Sequence, residues 1–217
     1  AHSGFGNRIT AEVWLRYEKT LKEEKALDFD DLIALPVQLL EEHEDIRALA
    51  QARWQYIHID EYQDTNELQE RLAGILAEKH RNLFVVGDGD QAIYGWRGAK
   101  MENILNFEKR YPGAQTIILE RNYRATKNLV DAANAVIEKN KNRKEKELWT
   151  ENPQGHPITI FGARDEREEG RYIIEEIFAQ KKNNSKLKLS DFTILYRTNA
   201  QSRALEEAFL SAGLPYK

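Results

Sequence analysis

Apolar residues along this 217-residue chain recur in two rhythms, and the switching between them sets the expected fold. Over residues 10–25, Val13, Trp14, Tyr17 and Leu21 share one face of a 3.6-residue repeat, with Thr10 as the expected N-cap. Phe29, Leu32, Ile33, Leu35 and Leu39 repeat the pattern over 28–40, where Pro36 marks a break or a new start. Residues 54–60, WQYIHID, alternate and are rich in β-formers, so they predict a strand. The stretch that follows predicts a helix capped at Thr65, with Leu68, Leu72, Ile75 and Leu76 facing inward. Residues 83–86 predict a second strand and 103–111 a helix, and Pro112-Gly113 marks a turn. Beyond it come a strand at 115–119 and a helix through Leu129, Ala132, Ala133, Val136 and Ile137. A strand at 158–161, a helix at 166–180, a strand at 192–196 and a helix at 200–212 complete the order. Strands alternating with helices predict an α/β chain with parallel sheets flanked by helices, in two modest domains.

Composition narrows the function classes. Asp and Glu number 36 against 32 Lys and Arg, a net charge of -4, so the chain is not one that coats duplex DNA by bulk attraction. Any nucleic-acid contact has to be a local groove with stacking platforms. Cysteine is absent, which excludes disulfides and thiolate metal sites. No uncharged apolar run is long enough to span a bilayer and the start has no signal-like core, so no membrane role and a cytoplasmic location are expected. The basic run 139–147, KNKNRKEKE, with 152–157, NPQGHP, is the most linker-like stretch and reads as a solvated face.

The candidate chemistry is concentrated in two loops. Residues 83–99, LFVVGDGDQAIYGWRGA, run from a strand into a loop holding Asp88, Asp90, Gln91, Tyr94, Trp96 and Arg97, a mixture no plain turn requires. One βα unit earlier, Asp60-Glu61 ends an apolar strand, as in a Walker B site. There an aspartate holds Mg²⁺ and the next carboxylate orients or deprotonates an attacking water. A simple helix N-cap cluster is the alternative for this pair taken alone.

YIHIDEYQDTN, VVGDGDQAIYGWRGA and ILERNYRAT together resemble motifs II, III and IV of the superfamily 1 DNA helicases of the UvrD/Rep/PcrA type, and YRTNAQSR resembles a later stretch of the same motor. The resemblance implies two partial RecA-like (P-loop NTPase) domains, 1–112 being the later part of the first and 113–217 the earlier part of the second. It further implies ATP and Mg²⁺ as cofactors, single-stranded or junction DNA as partner, and 3′ to 5′ translocation in repair or replication. Carried onto matching positions, Asp60 binds Mg²⁺, Glu61 is the catalytic base, and Gln91 senses the γ-phosphate. Tyr94, Trp96 and Arg97 meet the DNA, Tyr123 packs on adenine, and Arg124 is an arginine finger. The loop departs from the usual family pattern at Gly89 and Ala92. No GxxxxGK[ST] phosphate loop occurs in the chain, and the family places that loop upstream of these motifs, so an internal fragment, inactive alone, is expected. A non-catalytic DNA- or protein-binding module and the helicase half of a helicase-nuclease are the alternatives.

Overall fold

The computed structural model describes residues 3–217. The chain divides into two compact units, Ala1–Gly155 and His156–Lys217. The expected boundary after residue 112 is therefore not the place where the chain's contacts thin out.

In the first unit, helices α1 (Ser3–Glu24), α2 (Asp31–Glu42) and α3 (Glu44–Arg53) precede strand β1 (Ile57–Ile59), and α4 (Glu67–Ala77) connects it to β2 (Leu83–Val85). Short helices α5 (Glu102–Leu105) and α6 (Phe107–Arg110) and the longer α7 (Lys127–Ile137) follow. Thr10 lies inside α1 rather than capping it. Pro36 also sits within a continuous helix, and the buried residues just beyond it, Val37 and Leu40, help pack α2 against α4. The one buried residue of α3 is Gln51, whose amide donates to the Ile75 carbonyl at 2.7 Å.

The cap of α4 is Asn66, not Thr65. Asn66 accepts from the Gln69 amide while the Gln69 side chain accepts from the Asn66 amide, a reciprocal capping box. Thr65 instead closes the preceding turn, donating to the Tyr62 carbonyl at 2.6 Å. The inward face of α4 is also displaced: Ala73 and Ala77 are buried beside Glu70, while Leu68 is exposed and Leu72, Ile75 and Leu76 are half-buried. Glu70 is tolerated inside because Arg110 pairs with it and the Tyr111 hydroxyl donates to it at 3.1 Å. Burial, together with the Glu70 charge, pushes the nearby Tyr62 hydroxyl up to about 12.

β1 and β2 pair in parallel, Ile57 with Leu83, His58 with Phe84 and Ile59 with Val85. Ile57, Ile59, Leu83 and Val85 are half-buried, and His58 and Phe84 face outward with their rings 5.6 Å apart. Because the strands are parallel, both release their loops at the same carboxyl edge, the ligand-binding edge of open α/β sheets.

Three expected strands, 115–119, 158–161 and 192–196, are irregular. Apolar alternation supplies a face but no ladder, and among the described residues no neighbouring strand satisfies the N–H and C=O groups of these runs. Several of their side chains are correspondingly open: Ile160 is 95% exposed and Leu195 90%. The second unit is held by α8 (Glu166–Asn183) and α9 (Ser202–Ser211), whose Ile174, Ile177 and Phe209 form a core against Phe192 and Ile194. Gly170 is where these helices cross closely, since a Cβ there would lie 2.8 Å from that of Ala208.

Candidate functional site

The carboxyl edge of the sheet carries both candidate loops. β1 ends at Ile59, and Asp60 and Glu61 follow directly, exposed to solvent. Glu61 is in the left-handed region, φ 51°, a conformation that costs a non-glycine residue roughly 1–2 kcal/mol. It is held there from both sides. The Asp60 carboxylate accepts from the Glu61 amide at 2.9 Å, and the next amide, of Tyr62, donates to the Val86 carbonyl at 2.9 Å. Backbone strain of this kind clusters where a side chain must be aimed.

The Glu61 carboxylate is engaged by Gln63, a residue the motif reading passed over. Gln63 is 1% exposed. Its amide nitrogen donates to Glu61 Oε2 at 2.7 Å, and its Oε1 accepts from the Asp88 backbone amide at 2.9 Å. Gly87 makes that approach feasible, because a Cβ at this position would come within 2.5 Å of Gln63 Oε1. The end of β1 is thereby joined to the loop after β2.

Asp88 organises that loop. Its carboxylate accepts from the Asp90 amide at 3.0 Å and from Gln91 Nε2 at 2.8 Å, and it pairs with Lys146. Burial favours the neutral form of Asp88, but the hydrogen bonds from Lys146 and Gln91 outweigh it and hold the carboxyl below the usual range. Asp90 is enclosed by Arg143 at 3.3 Å, Lys146 at 3.7 Å and Asn140 at 3.3 Å. Most of the basic run, residues 139–142 included, is the exposed face expected, but Arg143 and Lys146 turn inward. Arg143 and Lys146 are largely buried cations that neutralise the two acidic loop residues.

Tyr94, Trp96 and Arg97 form a second cluster around the 3₁₀ turn Gly95–Arg97. The two rings lie 6.5 Å apart, and the Arg97 guanidinium sits 4.5 Å from the Trp96 ring and 5.4 Å from that of Tyr94. Trp96 remains 72% exposed, so its large apolar face is open to a flat partner.

Tyr123 and Arg124 occupy a separate turn, built by the Asn122 carboxamide oxygen, which accepts from the Arg124 and Ala125 amides at 2.9 and 2.8 Å. The Asn152 amide braces the same turn through the Tyr123 and Ala125 carbonyls. Tyr123 is exposed, with Arg121 4.7 Å from its ring, and Arg124 is exposed. Among the described residues, no hydrogen bond, ion pair or ring contact joins Tyr123 or Arg124 to Asp60, Glu61 or Gln91.

Residues 2–112 match the family described as the UvrD/REP helicase N-terminal domain, and 117–217 match the UvrD-like helicase C-terminal domain. The chain belongs to the UvrD/Rep helicase family. Its relatives include proteins named ATP-dependent DNA helicase PcrA. The one from Leuconostoc citreum is 50% identical over 206 residues, 95% of this chain and 27% of that protein. Those from Staphylococcus aureus and Staphylococcus epidermidis are 50% identical over 212 residues, 98% of this chain and 29% of theirs. The chain therefore spans less than a third of the curated relatives it matches. Within this UvrD/Rep segment no helix among the described residues is long and apolar enough to cross a membrane.

The exposed Asp60 carboxylate is the kind of oxygen donor that a hard divalent ion takes. Asp60 has one oxygen committed to the Glu61 amide, and among the described residues no cluster of three acidic, His or Cys groups forms a ready-made cage. Mg²⁺ is commonly bound by one or two carboxylates, with waters and phosphate oxygens completing its shell, so such a site fits that ion.

Proposed function

We propose that this chain is the segment of an ATP-dependent, 3′ to 5′ DNA helicase that contributes the catalytic base, the phosphate-sensing loop and part of the single-stranded DNA contact. In this reading residues 1–112 belong to one RecA-like domain and 113–217 to a second, a division supported by the separate family matches on either side of residues 113–116. The protein works in the cytoplasm, on single-stranded DNA or a single-strand/duplex junction. The carrying observation is that Asp60 and Glu61 leave β1 at the edge where β2 releases the Gln91 loop, with Glu61 aimed by a strained backbone.

Bound there, Mg²⁺ would neutralise charge on the phosphates of ATP, held through Asp60. Glu61 takes a proton from water as the water oxygen bonds to the γ-phosphorus and the bond to the ADP oxygen breaks, leaving ADP and phosphate. Gln91, whose amide is turned onto Asp88, can re-pair to a γ-phosphate oxygen and so report its presence to the adjoining 94–97 cluster. Trp96 stacks on a base, with Tyr94 and Arg97 beside it, Tyr123 carries the adenine, and Arg124 supplies positive charge to the transferring phosphoryl group.

Glu61→Gln in the complete polypeptide tests the assignment. Turnover stimulated by DNA should fall ~10²-fold or more with nucleotide affinity nearly unchanged, because the base acts on chemistry and not on the ground-state contacts. Retention of more than about a tenth of wild-type turnover would remove Glu61 from the role.

A further inference from the structure

We propose that Gln63 is a positioning residue for hydrolysis: one buried amide that fixes the direction of the Glu61 carboxylate and the height of the Gln91 loop together. This rests on the reading of Glu61 as the base. Gln63 is 1% exposed, beside the buried Tyr62 on the same turn, and a buried primary amide is costly unless both ends are satisfied. Both ends are satisfied, and by different elements. The nitrogen donates to the carboxylate after β1, and the oxygen accepts from the first loop amide after β2.

The polarity of the bridge is forced. An ionised Glu61 accepts only, and the Asp88 N–H donates only, so the group between them has to donate on one side and accept on the other. An amide does so without charge; a carboxylate or an ammonium of similar length satisfies one side and repels or strands the other. Two further features keep the bridge rigid. The space beside Oε1 is cleared by Gly87, and the Tyr62 amide donates to Val86 one residue away, so turn and loop cannot slide independently. Asp88 in turn accepts from Gln91. Base and sensor are thus separated by one side chain and one loop residue, and a displacement of the Gln91 loop is transmitted to the carboxylate that must face water.

Two substitutions in the complete polypeptide decide the matter, with Glu61→Gln run beside them. Gln63→Met keeps volume and removes both hydrogen bonds. Gln63→Glu keeps the acceptor for Asp88 and loses the donor to Glu61. Steady-state ATP hydrolysis is measured with and without single-stranded DNA, turnover is normalised to nucleotide-binding sites titrated with a fluorescent ATP analogue, and melting temperature is recorded. Both variants should lose roughly 10–100-fold in kcat per binding site while KM for ATP changes by no more than about threefold. A purely structural role would lower the melting temperature and the number of binding sites and leave turnover per site intact. That outcome, or wild-type turnover per site in either variant, overturns the proposal. If Glu61→Gln retains turnover, the base assignment itself has failed; if Glu61→Gln is inactive while Gln63→Glu turns over normally, only the positioning role has.

Discussion

Trp96 shows how much a single residue's surroundings decide. With 72% of its surface exposed and a guanidinium 4.5 Å from its ring, it is not a core residue that drifted outward. Trp96→Ala should therefore leave the melting temperature nearly unchanged but weaken binding of a single-stranded oligonucleotide by roughly 1–3 kcal/mol, measured by fluorescence anisotropy. A large loss of stability with intact DNA binding would make it a packing residue. Asp60, Glu61 and Trp96 were singled out through the motifs they sit in, and the structure sets the first two directly after β1 and leaves Trp96 exposed. Gln63 was not, since nothing in a string shows that an amide two residues past Glu61 reaches a backbone N–H 25 positions later. Arg143 and Lys146 were hidden for a related reason. A basic run reads as solvated until its partners, Asp88 and Asp90, are placed against it.

That pairing has a pH consequence. Because the folded carboxyl of Asp88 titrates below its ordinary range, its contribution to loop order is present above that range and is lost as pH falls through the depressed value. Lys146→Met removes the leading opposing interaction and leaves burial to push the carboxyl upward. Amide exchange at residues 88–92 should then lose protection at a higher pH than in the wild type. Unchanged protection would show that Gln91 alone holds the loop.

Among elements, helices were read more faithfully than strands. A helix closes its own hydrogen bonds, so α4, α7, α8 and α9 follow from local pattern and caps, with ends shifted by a few residues. A strand depends on a neighbour, and 115–119 stays irregular despite its apolar run. The α4 cap was misplaced by one residue because Thr65 and Asn66 are both good caps, and the three-residue spacing to Gln69 favours Asn66. Asn66→Ala should cost about 1 kcal/mol in chemical denaturation. Gly87→Ala should cost about 1–3 kcal/mol, because its methyl strikes the Gln63 oxygen and the Ile104 side chain. A Gly87→Ala protein as stable as wild type would mean that the turn and loop move apart freely.

At the scale of the molecule, the chain's contacts divide after Gly155, whereas the family matches divide near residue 112, so compactness and ancestry mark different boundaries. The 217 residues hold the base, sensor, adenine platform and finger of the proposed motor but no GxxxxGK[ST] loop. Phosphoryl transfer depends on fixing the β- and γ-phosphates. The chain alone should accordingly release no phosphate from ATP above a Glu61→Gln control, with or without DNA. The most direct test replaces the matching 212 residues of the Staphylococcus aureus relative with this chain and measures phosphate release with single-stranded DNA. DNA-stimulated turnover that disappears when Glu61→Gln is introduced into the exchanged segment is the expected result. A folded, ATP-binding chimera with no DNA-stimulated release, or one indifferent to Glu61→Gln, would contradict it.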